Sequence, residues 1–156
     1  MPFRVFISHS TQDPEIVYTL YNLLRQRGIE AYVAEYYPEP GRPLPQKVLE
    51  NIMASNLVLV ILTRYGARSA SVNQEVGAAI ANRKRIIPLV EAGVDVGVLL
   101  QGIEYVPLDV SDPVGTLDNV ASYVKQIEIK DAEQARAAFI VFLIFFGLLL
   151  AAASGK

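Results

Sequence analysis

The sequence predicts an α/β fold: a flavodoxin-like parallel five-stranded sheet in the order 2-1-3-4-5, with helices on both faces, plus one apolar C-terminal helix. Three observations carry this expectation. Short β-rich runs alternate with runs of helical period, mostly without hairpin turns, as parallel strands joined by crossover helices require. Residues 56–63 (Asn-Leu-Val-Leu-Val-Ile-Leu-Thr) are almost continuously apolar, the pattern of a strand covered on both faces. Residues 137–155 carry no charge and are apolar on every side, which a surface helix of a small domain would not be.

The elements follow in order. Residues 3–8 form a first strand. Asp13, Pro14 and Glu15 read as a helix start: Asp as N-cap, Pro at the first helical position, Glu toward the positive helix end. Ile16, Val17, Leu20, Leu23 and Leu24 recur at helical spacing, and Gly28 ends the helix. Residues 29–34 are a second strand. Residues 35–45 hold four prolines and a glycine and read as a loop. A short helix is expected over 46–54, and the third strand over 56–63. Ser71 and Gln74 have capping-box spacing, which opens a helix running to about Lys84. Strands are expected at 85–90 and 104–108, a short helix at 94–101, and a last helix at 112–129. The domain organisation is therefore 1–130 as the α/β domain, 131–136 as a linker and 137–155 as a membrane span.

The apolar segment would reach about 28 Å as a helix, close to the hydrocarbon thickness of a bilayer. A buried core helix is the alternative, but so small a domain lacks a core to surround it. Lys130 and Arg136 precede the segment and only Lys156 follows it, so the positive-inside rule leaves the domain cytoplasmic, on a single-pass membrane protein. Residues 1–10 are too short for a signal peptide and enter a strand pattern directly.

Composition narrows the chemistry. Fourteen basic and 16 acidic residues give a net charge of −2, which speaks against nucleic acid as a partner. Without cysteine there is no thiol catalysis, disulfide or cysteine metal site, and with one histidine, His9, a histidine metal site or a Ser-His-Asp relay is not expected. The first strand is not followed by a glycine-rich phosphate loop, and no G-x-S-x-G elbow occurs. Glu75 is the one carboxylate expected at a strand edge on a helix start. Spacing alone leaves it a first-turn acid, stabilised by the helix dipole at about 0.3–1 kcal/mol.

Several pieces together resemble a TIR (Toll/interleukin-1 receptor) domain of the prokaryotic type, over residues 3–129. They are Arg4-Val-Phe-Ile-Ser-His-Ser10, Gly28 with Glu39-Pro-Gly41, Ser55-Asn-Leu-Val-Leu-Val-Ile-Leu-Thr63, Tyr65-Gly-Ala-Arg-Ser69, Val72-Asn-Gln-Glu-Val-Gly-Ala78 and Ile86-Ile-Pro-Leu-Val90. Each is weak alone; their order and spacing are specific. The resemblance implies an NAD+ glycohydrolase or cyclase that cleaves the nicotinamide–ribose bond, with the essential Glu at Glu75. It also implies a setting in antiviral defence signalling or NAD+ depletion. NAD+ is then a substrate, and no bound cofactor or metal is expected.

The resemblance assigns further positions. His9 and Ser10 match the pair that contacts the nucleotide, although His9 also suits an ordinary loop residue. Glu39 matches an acidic position near the site, or is a solvated loop charge. Ser71 stands where the family often has Trp, and either widens the site or only caps the helix. At the end of strand two the family often has Asp; here it is Ala34, followed by Glu35. The loop with Tyr36, Tyr37, Gly41 and Arg42 corresponds to one that mediates self-association, unless its tyrosines pack on their own domain. Two other functions stay open. One is a non-enzymatic TIR adaptor that signals by TIR–TIR association at the membrane. The other is a nucleoside deoxyribosyltransferase-like enzyme with a covalent Glu nucleophile.

Overall fold

The computed structural model describes residues 2–155, in two compact units, one ending at Ser122 and the other beginning at Tyr123. In the first unit, five parallel strands lie in the order β2-β1-β3-β4-β5: β1 Arg4–Ser8, β2 Glu30–Tyr32, β3 Leu57–Leu62, β4 Arg85–Glu91 and β5 Val106–Leu108. The helices are α1 Pro14–Gln26, α2 Leu44–Ala54, α3 Ala70–Ala81 and α4 Pro113–Ser154, the last running on into the second unit. The expected α/β fold and strand order are observed.

All six residues of β3 are buried, as its unbroken apolar run required. Alternation along the strands sorts side chains between the two faces of the sheet. Phe6 pairs with Val58 and Ser8 with Val60, so Phe6 and Ser8 share a face with Val58, Val60 and Leu62. That face packs on Val72, Val76 and Ala79 of α3 and Ile52 of α2. Ser8, the last residue of β1, is thereby aimed at α3.

Differences from expectation have local causes. β2 is shorter because the chain turns into a 3-10 helix, Ala34–Tyr36, directly after Val33. The buried Lys47 ammonium donates to the carbonyls of Ala34 (3.1 Å) and Tyr37, which pins that turn. α2 starts at Leu44 rather than at 46, since proline is tolerated in a first turn, where its missing N–H has no partner to lose. The α3 cap is Ser69, not Ser71: the Val72 N–H donates to Ser69 Oγ at 3.3 Å. Asp13 precedes α1, yet its side chain makes no cap and instead accepts from Thr63 Oγ at 2.6 Å. Only a 3-10 turn, Val98–Leu100, forms in the segment expected as a short helix.

Two glycines are required by geometry. Gly28 closes α1 at φ +74°, where its N–H reaches the Arg25 carbonyl. Gly66 lies so tightly against β3 that a Cβ would sit 2.2 Å from the Ile61 carbonyl oxygen.

In the second unit the helix is uninterrupted. Residues 131–136, expected as a linker, are helical, because no proline or helix-ending glycine intervenes. Its apolar window has a mean hydropathy of 2.6 and none of it is buried, which is unlike the core helix of a soluble protein. It is long and apolar enough to cross a membrane.

Candidate active site

The end of β1 and the second turn of α3 bring two polar side chains together inside the sheet edge. Ser8 is fully buried, and its hydroxyl donates to Glu75 Oε2. Glu75 follows Val72 by three residues and precedes Val76 by one, so it lies on the inward side of α3. Burial pushes its carboxyl up to about 7; the Ser8 hydrogen bond and the His9 charge oppose the rise, and the Glu35 charge adds to it.

His9 follows directly on the loop. Its Nδ1 lies 3.0 Å from the Ile7 carbonyl oxygen and its Nε2 lies 3.2 Å from Glu35 Oε2. Only 8% of the ring is exposed, against 47% of the Glu35 side chain. Burial by itself lowers the His9 pKa, but the bonds to Glu35 and Ile7 and the charges of Glu35 and Glu75 outweigh it and raise the pKa. The His9 hydrogen bond holds Glu35 below the usual carboxylate range. A pocket of about 110 Å³ opens beside them, lined by His9, Ser10, Thr11, Pro14, Val17, Glu35 and Tyr36.

The structure thus groups Glu75, His9 and Ser10 at the end of β1, with Ser10 Oγ accepting from the Gln12 N–H at 3.2 Å. Ser71 lies on the exposed start of α3, bonded to Ser69 Oγ at 2.9 Å. Glu39 is engaged elsewhere: it pairs with Arg42 at 2.5 Å, and Arg42 also pairs with Glu50. Gly41 takes φ +87° in the same loop. Tyr36 and Tyr37 pack on their own unit yet stay 38% and 41% exposed. Tyr36 meets Tyr21 edge-on at 4.9 Å, Tyr37 stacks on Tyr32 at 5.3 Å, and the Tyr37 and Tyr21 hydroxyls are 2.8 Å apart.

Sequence reasoning did not single out Ser8, Glu35 or Lys47 as site residues. Strand alternation could have flagged Ser8 as a hydroxyl on an otherwise apolar inner face. A second cleft, of about 670 Å³, lies near the carboxyl ends of β3 and β4, with Asp13, Thr63, Arg64, Tyr65 and Glu91 on its walls. Among the described residues, no cluster of three or more His, Cys, Asp or Glu could hold a metal ion.

Comparisons with known proteins agree with this architecture. The Toll-related receptor TRR-2 TIR domain of Hydra magnipapillata matches with TM-score 0.65 at 20% identity, covering 81% of this chain and 97% of the receptor domain. The CMP N-glycosidase BcmB of Clostridium botulinum matches with TM-score 0.58 at 19% identity, over 75% of this chain and 97% of the glycosidase. The TIR domains of the activated Roq1 resistosome match with TM-score 0.53 at 19% identity, over 58% of each chain. At these identities the likeness establishes the fold. No functionally curated protein matches the sequence. The sequence itself matches the TIR domain family over residues 5–119, and the chain belongs to that family.

Proposed function

We propose that this chain is a membrane-anchored enzyme that cleaves the bond between nicotinamide and ribose in NAD+, with Glu75 as its catalytic carboxylate. The observation carrying the reading is a half-buried carboxyl, at the carboxyl edge of a parallel sheet, that accepts from the fully buried Ser8 hydroxyl. Nicotinamide is cationic in NAD+ and leaves neutral, taking the electron pair of the broken bond. It needs no proton, so the acid partner of an ordinary glycosidase is dispensable. Positive charge then develops on the ribose, where a carboxylate in a poorly hydrated site stabilises it strongly. Water attacks the ribose carbon and passes its proton to Glu75; an internal nucleophile in its place gives a cyclic product.

Burial that holds Glu75 near neutrality suits a cationic substrate. An arriving positive charge favours the ionised carboxylate, so binding itself generates the reactive form. His9 and Ser10, which line the small pocket, are assigned to the nucleotide, and so is Ser71, on the exposed start of α3 one turn before Glu75. The fold shared with a CMP N-glycosidase supports N-glycosidic cleavage as chemistry that this architecture can house. The exposed loop with Tyr36, Tyr37, Gly41 and Arg42 is assigned to self-association, which would complete the site between copies. The apolar helix over 137–155 is assigned to the membrane, with the TIR domain cytoplasmic, in a defence role through NAD+ depletion or an ADP-ribose signal.

Full-length protein at high density in liposomes should release nicotinamide from NAD+, with CMP as the comparison substrate, and Glu75→Ala should abolish the release. Faster cleavage of CMP would move the assignment to nucleotide glycosides. No release at any density, with self-association intact, would leave the adaptor role instead.

A further inference from the structure

Glu35 has no assigned part in the reaction, yet its pairing with His9 has a specific geometry. The Ile7 carbonyl oxygen can only accept, so the proton on Nδ1 is fixed by a 3.0 Å contact. Nε2 faces a carboxylate oxygen, which also only accepts, at 3.2 Å. A neutral imidazole carries one proton and would set a lone pair against one of these oxygens. The doubly protonated ring satisfies both.

We propose that Glu35 is a positioning residue that acts through His9: it holds the ring as a cation on the residue next to Ser8, the hydroxyl partner of Glu75, and that cation eases the ionisation of Glu75 when substrate binds. The inference rests on Glu75 being the catalytic carboxylate. His9 follows Ser8, whose hydroxyl donates to Glu75, and the charged and titratable groups around the pair also include Tyr32 and Tyr36, both of which feel the Glu35 charge. His9 senses Glu35 and Glu75 and is itself sensed by Asp13; Glu75 senses Ser8, His9 and Glu35; Glu35 senses His9 and Lys47. The influence of His9 on Glu75 is favourable and larger than the opposing influence of Glu35. Losing the Glu35 charge while His9 stays charged would therefore help Glu75. Losing it and the His9 charge together leaves Glu75 harder to ionise. The two outcomes have opposite signs, so they can be told apart.

His9 is the only histidine in the chain, so histidine-selective ¹³C labelling of the full-length protein in detergent micelles gives a single ring signal to titrate. The expected result is a wild-type midpoint above that of a free histidine, moved to lower pH by Glu35→Gln and also by Glu75→Gln. In parallel, the acidic limb of kcat/KM for nicotinamide release should move to higher pH in Glu35→Gln, with Glu35→Asp between it and wild type. An unchanged His9 midpoint in Glu35→Gln overturns the proposal. So does an acidic limb that moves to lower pH. Absence of NAD+ cleavage in wild type overturns the assignment of the reaction, whereas the His9 midpoints still report whether Glu35 holds the cation and whether Glu75 feels it.

Discussion

Replacing Glu75 by Gln should stabilise the protein above neutral pH, and the size of the effect follows from the site. The folded carboxyl titrates at about 7 against an ordinary value of 4.5, chiefly because it is buried. A carboxyl whose folded pKa is raised binds its proton more tightly folded than unfolded. Its burial is therefore least costly below pH 4.5, and stability is lost as pH rises from there through 7. At about 1.36 kcal/mol per pH unit, that interval amounts to an upper limit of about 3 kcal/mol at pH 8. Gln is isosteric, never ionises, and can still accept from Ser8. Thermal unfolding of full-length protein in detergent, followed by the near-UV signal of its tyrosines, should show Glu75→Gln and wild type nearly equal at pH 4.5. At pH 8 the variant should melt higher, by on the order of 10 °C. A difference that does not grow with pH would refute a costly buried charge at this position. A variant less stable at pH 8 would show that Glu75 is held by favourable partners and contributes to the fold rather than to a reaction.

Further outcomes follow from other contacts. Ser8→Ala removes the hydrogen bond that favours ionised Glu75, so kcat/KM for nicotinamide release should fall more at pH 6.5 than at pH 8.5; an equal loss at both would separate Ser8 from the ionisation of Glu75. Gly66→Ala forces a methyl group into the Ile61 carbonyl and should cost about 2–4 kcal/mol, read as a lowered Tm; a neutral change would show that the turn after β3 gives way freely. Deleting residues 139–153 should leave the melting of the α/β unit intact but abolish activation by liposomes, since confinement to a surface raises effective concentration. If the truncated protein assembles and cleaves NAD+ as well as the full chain does on liposomes, the helix sets location alone.

How much was legible in the sequence depends on whether the determining interaction was local. β3 could be read from its own six apolar residues, because burial on both faces leaves no room for alternation. The end of α1 could be read from Gly28, because the turn there demands a positive φ. The α3 cap was misplaced by two residues, since Ser69 and Ser71 are equally good capping chemistry and only backbone geometry chooses between them. Asp13 looked like a cap for the same local reason. Its carboxylate turned instead to Thr63, 50 residues away, which no local pattern records. Glu75 was found through its position and the family resemblance. Its partner and neighbours lie in other elements: Ser8 is 67 residues distant, and Glu35 pairs with His9, the residue after Ser8. The Lys47 ammonium, buried against backbone carbonyls, reads in sequence as one more solvated helix charge.

The central claim is that one buried carboxylate breaks the nicotinamide–ribose bond. The most direct measurement is nicotinamide release from NAD+ by full-length protein in liposomes, wild type against Glu75→Gln, at pH 7.5. Gln keeps the shape and the contact to Ser8 and removes only the charge. The account predicts steady release by wild type and none above background from a folded Glu75→Gln. Release by the variant at the wild-type rate would contradict it.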